Sequence, residues 1–180
     1  MVVATRHQSG LADALVAEGP DPEHAAALML FGQFVGEWDF DWASYGADGE
    51  QAMVGRGEWI FGWVLEGRAV QDVWIIPPRG HRKKAGQSEH EYGTTVRFYD
   101  PQRDLWLVTW CGPVNRARRT FVARRTGQAI VQDGETEQGQ PMQWIFSEIA
   151  ANSFAWRSVS SNDGETWQLR EEMHVRRKPG

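Results

Sequence analysis

The chain has little cysteine, no long apolar run and no excess of positive charge. Its single cysteine, Cys111, excludes an internal disulfide framework and most thiolate metal sites. No apolar stretch approaches the roughly 18 residues that cross a bilayer, and residues 1–10 hold none of signal-peptide length. We therefore expect a cytoplasmic protein without membrane insertion. A net charge of −5 argues against nucleic acid as a partner.

Tryptophan, by contrast, is abundant: there are ten in 180 residues. Many large rings are spaced two apart, as in Trp38/Phe40/Trp42, Trp59/Phe61/Trp63 and Trp106/Val108/Trp110. Side chains of a strand alternate between faces, so each triplet places its rings on one side of a sheet. Several such strands predict a barrel with an aromatic interior, either filled as a core or shaped around a cavity. The rings that we predict to contact a ligand are Trp42, Trp59, Phe61, Trp63, Trp74, Trp106, Trp110 and Trp144.

The order of helical and strand patterns predicts one domain over 1–180. A helical segment at 1–35 contains the helix-start sequence Asp21-Pro22-Glu23. From Gly36 the apolar period becomes two, and the Asp-Gly pairs at 48–49, 133–134 and 163–164 predict tight turns. The expected strands are 36–45, 53–65, 68–77, 91–99, 104–111, 116–125, 128–133, 141–149, 153–161 and 166–177. The fold class is thus all-β, an antiparallel up-and-down barrel of about ten strands over 36–178.

One connection, the polar loop 78–90, is much longer than the others. It is compatible with a flap over the barrel mouth and with a surface loop that has no role. The spacing of His81, Glu89, His90 and Glu91 does not match a preorganised metal site, so no metal is expected.

Four charged residues share a strand face with apolar neighbours: Asp72, Arg119, Glu148 and Glu171. Interior charges are costly unless they are paired and hydrogen-bonded. Internal pairing, a β-bulge that exposes them, recognition of a polar ligand group and acid–base catalysis all remain open. We predict that Arg119 meets at least one of the three carboxylates inside the barrel and that these four residues belong to the site.

The chain also resembles the calycin superfamily, which includes lipocalins and fatty-acid-binding proteins, and is most similar to an uncharacterised bacterial branch of it. The matching features, over about 30–178, are Gly36-x-Trp38 after a short helix, Tyr99-Asp100 before a turn, Leu105-Trp106 through Trp110, and Ser161-x-Asp163-Gly164-x-Thr166-Trp167 before a strand ending in Arg176-Arg177. The resemblance implies a barrel that binds a small hydrophobic ligand and a basic side chain, Arg176 or Arg177, over Trp38. It implies no catalytic residues.

Three functions are therefore weighed. The first is binding of a small hydrophobic or aromatic molecule, in which a carboxylate of the ligand would face Arg119. The second is an isomerase, cyclase or hydratase that uses Asp72, Glu148 or Glu171 as acid or base. The third is a haem barrel with His174 as ligand. Alternation assigns His174 to the polar face of its strand, so we expect no haem and no other cofactor. A homodimer remains open.

Overall fold

The structure is a computed structural model that describes residues 7–82 and 91–179, and the side chains from Gly10 onward within these ranges. Residues 83–90 of the predicted flap lie outside the described residues. The helices are α1 (His7–Leu15) and α2 (Ala25–Gly32), with 3₁₀ turns at Pro22–His24 and Arg79–His81. The strands are β1 (Val16–Ala17), β2 (Gly36–Tyr45), β3 (Gln51–Val64), β4 (Ala69–Ile76), β5 (Glu91–Asp100), β6 (Leu105–Gly112), β7 (Ala117–Thr126), β8 (Ala129–Glu135), β9 (Pro141–Ala150), β10 (Ser153–Ser161) and β11 (Trp167–Arg177).

Strands β2 to β11 form a closed antiparallel barrel. Each pairs with its neighbours in sequence, and β2 also pairs with β11 through Phe40 opposite Val175. The two-residue strand β1 adds to β3 outside this circuit. The predicted fold class, an all-β up-and-down barrel of ten strands with a short helical segment before it, is confirmed.

One predicted turn is wrong. Asp133 and Gly134 lie within β8, and the chain reverses only after this strand ends. Glycine is required there for space, because a Cβ at position 134 would lie 2.5 Å from Cδ1 of Phe121. At the other two Asp-Gly pairs the turn prediction is confirmed, since Gly49 and Gly164 have φ of 81° and 79°.

Helix α2 plugs one end of the barrel. The ring of Phe31 packs edge-on against Trp106, with centroids 5.0 Å apart, and Phe34 lies 4.8 Å from Phe154. Phe31 and Phe34 are almost completely buried. The hydrophobic core therefore fills this closed half, and the opposite end of the barrel is left without a plug among the described residues.

A contact across the closed end joins the last strand to the first. The guanidinium of Arg177 lies 4.0 Å from the ring centroid of Trp38, a cation–π contact of about 0.5–2 kcal/mol. Arg177 also donates to the carbonyls of Val35 and Gln33, at 2.9 and 3.1 Å. The indole of Trp38 donates to the carbonyl of Phe34 at 2.7 Å. The expectation of a basic side chain over Trp38 is confirmed, and the residue is Arg177.

Candidate ligand-binding cavity

The open half of the barrel holds a cavity of about 460 Å³. This lies within the roughly 300–1,000 Å³ of small-molecule sites. Met53 and Ala117 line it at the open end, where Met53 is 49% exposed. Six of the residues that line it are tryptophans: Trp42, Trp59, Trp74, Trp110, Trp144 and Trp156. The interior is thus part core and part cavity, with the two divided along the barrel axis.

The floor of the cavity is formed by two indoles, those of Trp59 and Trp156. Trp59 lies 5.6 Å from Phe146 and 5.8 Å from Phe154, the rings against which Phe34, just after α2, also packs. The ring of Trp156 is 6.4 Å from that of Trp59 and nearly perpendicular to it. The Nε1 atoms of both are buried and have no hydrogen-bond acceptor among the described residues. Both N–H groups are therefore enclosed by neighbouring side chains and are not accessible from the cavity.

Two side chains of opposite charge, Arg119 and Glu171, also line the cavity. Burial raises the pKa of Glu171, although a hydrogen bond from Trp42 Nε1 at 2.9 Å and the charge of Arg119 act to lower it. Arg119 is half-buried and makes no hydrogen bond or ion pair with the residues described. Arg119 and Glu171 line the same cavity without a direct ion pair between them among the described residues, so the prediction that Arg119 meets an interior carboxylate stays a prediction.

A third charged residue of the lining, Glu91, is already saturated with donors. Its carboxylate accepts the backbone N–H groups of Tyr92, Val114 and Asn115 at 2.9, 3.1 and 3.2 Å, and the Asn115 side-chain amide at 3.0 Å. It is only 3% exposed. Glu91 therefore holds the β6–β7 turn at the cavity rim, where it shapes the opening.

Asp72, a candidate site residue, does not line the cavity. It forms a fully buried ion pair with Arg97, whose Nε also donates to Gln132 Oε1 at 3.3 Å. The guanidinium of Arg97 lies 5.0 Å from the centroid of Phe31, among the rings of the closed half. The internal pairing that the sequence left open is therefore realised, but with Arg97 as the partner.

Four further candidates also lie away from the cavity. Phe61, Trp63 and Trp106 are 3%, 7% and 2% exposed and belong to the packed core, since strand alternation fixes the face of a residue but not its depth. The prediction that Glu148 faces the interior is wrong. It is exposed with φ of 53°, where the β9–β10 register shifts, so a bulge turns it outward.

Several lining residues were not predicted as site residues: Met53, Ile76, Glu91, Thr95, Asn115, Ala117, Trp156 and Met173. Trp156 could have been found, because the same alternation places it on the inner face of β10. Glu91 is the first residue of β5 and Asn115 lies in the β6–β7 turn, and neither position carries a periodic signal.

His174 is on the outside of the barrel. It is exposed and pairs with Asp41 and Ala155 in the neighbouring strands, as alternation predicts. None of the cavity-lining side chains described is a histidine. The haem-binding hypothesis depended on His174 as the iron ligand, and this residue does not line the cavity.

These features define the class: a closed ten-stranded antiparallel β-barrel with an aromatic internal cavity. The barrel is similar to that of Rv2717c from M. tuberculosis, with a TM-score of 0.53 and 11% identity over 89% of this chain and 99% of that chain. At this identity the likeness shows the fold alone. No family model matches the sequence, and no curated protein is similar to it in sequence. None of the described helices is long and apolar enough to cross a membrane.

Proposed function

We propose that the protein binds a small aromatic molecule carrying a carboxylate, within a calycin-like barrel in the cytoplasm. The observation that carries the proposal is Arg119, a half-buried cation without a hydrogen-bonding partner in the described chain, inside a cavity walled by tryptophans. Indole faces favour stacking with aromatic rings. A guanidinium binds carboxylates in a planar, two-point geometry. The resemblance to calycins supports the same kind of ligand.

The protonation state of Glu171 is expected to affect the affinity of the cavity for an anionic ligand. An ionised carboxylate beside the ligand would repel it, whereas a protonated one donates a hydrogen bond to it. Because burial raises the pKa of Glu171, this side chain takes up a proton more readily than a surface glutamate. Binding of a carboxylate at Arg119 is therefore expected to be coupled to protonation of Glu171.

The test is a titration with naphthalene-2-carboxylate and its neutral amide, followed by intrinsic tryptophan fluorescence. Arg119→Gln is expected to weaken carboxylate binding by about 10- to 100-fold, the value of a charge-assisted hydrogen bond, and to change amide binding little. Arg118→Gln is the matched control, since Arg118 is on the exposed outer face of the same strand. Absence of saturable binding, or equal effects of the two substitutions, would overturn the proposal.

A second candidate function is proton transfer, favoured by the raised pKa of Glu171 beside Arg119. Of the three carboxylates considered as acid or base, Asp72 is ion-paired and Glu148 is outside, so Glu171 alone remains. It would abstract a proton next to a carbonyl while Arg119 stabilises the oxyanion. Deuterium incorporation from D₂O into 2-tetralone measures this. Catalysis that Glu171→Gln abolishes would support an enzyme, and exchange at the uncatalysed rate would exclude this reaction.

A further inference from the structure

Arg119 and Glu171 extend into the cavity from nearly opposite walls of the barrel. Arg119 pairs with Trp110 in the register of β7 and β6, and Glu171 pairs with Ser44 in that of β11 and β2. Strands β7 and β11 are four positions apart in the closed ring of ten strands. Both side chains line the cavity, and no direct ion pair joins them. A molecule in the cavity therefore lies between a cation and an anion.

Both side chains keep hydrogen-bonding atoms available to a ligand. Glu171 Oε2 accepts from Trp42 Nε1 at 2.9 Å, and Oε1 has no donor among the described residues. The guanidinium of Arg119 has no acceptor among them either. Neither side chain belongs to those whose unpaired atoms are enclosed by the protein, so the unpaired atoms of both are accessible to a molecule the size of water. They therefore differ from the enclosed indole N–H groups of Trp59 and Trp156.

Two other glutamates of the barrel show how the fold satisfies a carboxylate by itself. Glu91 accepts four hydrogen bonds, all from the start of β5 and the β6–β7 turn. Glu58 also accepts four, three from Arg79 and one from Lys178 Nζ. An ionised carboxylate has sites for about four hydrogen bonds, so both are saturated. Glu171 has one donor, which leaves most of its capacity to a ligand.

A ligand that contacts both side chains carries an anion and a cation. Its carboxylate pairs with the guanidinium of Arg119 in a two-point geometry. An ammonium donates hydrogen bonds to Glu171 and offsets the repulsion between this side chain and the ligand's carboxylate. The tryptophans of the lining also favour a cation, because the faces of indole rings attract positive charge.

The surroundings of Glu171 contain no competing charge among the described residues. Of the residues that line the cavity, only Glu91, Arg119 and Glu171 are charged, and Glu91 is saturated. The cross-strand neighbours of Glu171 are Ser44 on β2 and Ser158 on β10, which are both neutral. The cation that pairs with Glu171 is therefore left for the ligand to supply.

We infer that the ligand is an aromatic α-amino acid that binds as a zwitterion, with its carboxylate at Arg119 and its ammonium at Glu171. This rests on the proposed function and deepens it, because the ammonium takes the place of the proton that a simple carboxylate requires at Glu171. The charge of Arg119 acts on Glu171 across the gap between them. A short gap suits a carboxylate and an ammonium that belong to adjacent carbon atoms.

A pair of probes isolates the ammonium: 3-(2-naphthyl)alanine and 3-(2-naphthyl)propanoate. They share the ring and the carboxylate and differ only in the ammonium, so the contact with Arg119 is common to both. The solvation of each probe in water is the same for every variant, so a change in the ratio of their affinities between variants reports on the protein. Calorimetry gives the dissociation constants, and the tighter enantiomer of the amino acid is used.

Glu171→Gln is expected to lower the preference for the amino acid by about 10- to 100-fold, the value of a charge-assisted hydrogen bond. The substitution keeps the shape of the side chain and an oxygen that accepts from Trp42, so the barrel is expected to fold. Glu172→Gln is the matched control, because Glu172 follows in the same strand, does not line the cavity and accepts from Tyr45 instead. It is expected to leave the ratio unchanged.

The pH dependence of the same ratio tests the inference in the unaltered protein. The propanoate binds best when Glu171 is protonated, whereas the amino acid requires its ionised form. The preference for the amino acid is therefore expected to rise as the pH increases from about 5.5 to about 8, as Glu171 loses its proton. The rise should be absent in Glu171→Gln, which controls for titration of the probes themselves.

The outcomes separate the two proposals. If both probes bind and the ratio is the same in all three proteins and at each pH, the inference about the ammonium is overturned while the proposed function stands. Binding of the propanoate alone has the same consequence. If neither probe binds, the proposed function is overturned and the inference falls with it. A ratio that falls as much in Glu172→Gln as in Glu171→Gln would also refute the inference, because the effect would then not depend on the cavity.

Discussion

The buried ion pair between Asp72 and Arg97 allows a quantitative test of the closed half of the barrel. The side chains are 0% and 1% exposed, so neither charge has access to water. Asp72→Asn keeps the volume but leaves the guanidinium without its counter-charge, which costs about 3–5 kcal/mol of unfolding free energy. For a chain of this size, about 2–4 °C is lost per kcal/mol, so the melting temperature is expected to fall by about 6–20 °C.

Thermal and urea unfolding, followed by circular dichroism, measure this loss. Arg56→Gln is the control, because it removes an ion pair with Asp41 in which the arginine is 85% exposed, and it is expected to cost less than about 1 kcal/mol. The double variant Asp72→Leu/Arg97→Met, which replaces both charges by apolar groups, is expected to recover most of the loss. A decrease for Asp72→Asn no larger than that of the control would refute the reasoning.

Three further outcomes are expected. Burial acts to raise the pKa of Glu58, but hydrogen bonds from Arg79 outweigh it and lower the pKa to about 2. The contribution of ionised Glu58 to the free energy of unfolding is therefore complete above about pH 4.5 and is lost as the pH falls toward 2. Urea unfolding should show this pH dependence in the unaltered protein and not in Glu58→Gln. Gly57→Ala puts a Cβ 2.5 Å from the carbonyl oxygen of Ile75, which should cost about 1–3 kcal/mol in the same unfolding assay, and an unchanged stability would contradict that geometry. Titration with hemin should give no stoichiometric Soret band, whereas a band that is lost in His174→Ala would show that the histidine reaches the haem.

The barrel could be predicted from the sequence because one signal, the alternation of large rings, is repeated in many strands. Trp38 and Trp59 identify the inward-facing side of β2 and β3. Because the turns between strands are short, each strand is expected to pair with its neighbours in sequence. The turn expected at Gly134 was misplaced because glycine serves two purposes. It permits a positive φ in a turn, and it makes room for a ring in a strand, here that of Phe121.

The site was only partly predictable, for physical reasons that differ from residue to residue. Trp59 and Phe61 follow the same alternation, yet Trp59 borders the cavity and Phe61 is packed in the core. The difference is their depth along the barrel axis, which depends on how far α2 and its packed rings fill the closed end. Arg97 was missed because its strand carries apolar residues on the outer face too, such as Phe98, which is 45% exposed. Glu148 was misassigned because a bulge leaves no mark in the periodicity.

The way the sheet closes leads us to expect a particular order in which the barrel strands pair during folding. Over the described residues, nine of the ten barrel pairings join consecutive strands, and the tenth joins β2 to β11. Closing the longest loop costs the most chain entropy, so this seam is expected to form last, and until then both strands present unpaired edges that favour aggregation. Arg177 in β11 contacts Trp38 in β2, so we expect it to stabilise the closed barrel once these two strands have paired. Its removal should speed unfolding and barely slow refolding in stopped-flow fluorescence, and slower refolding would show that closure comes early.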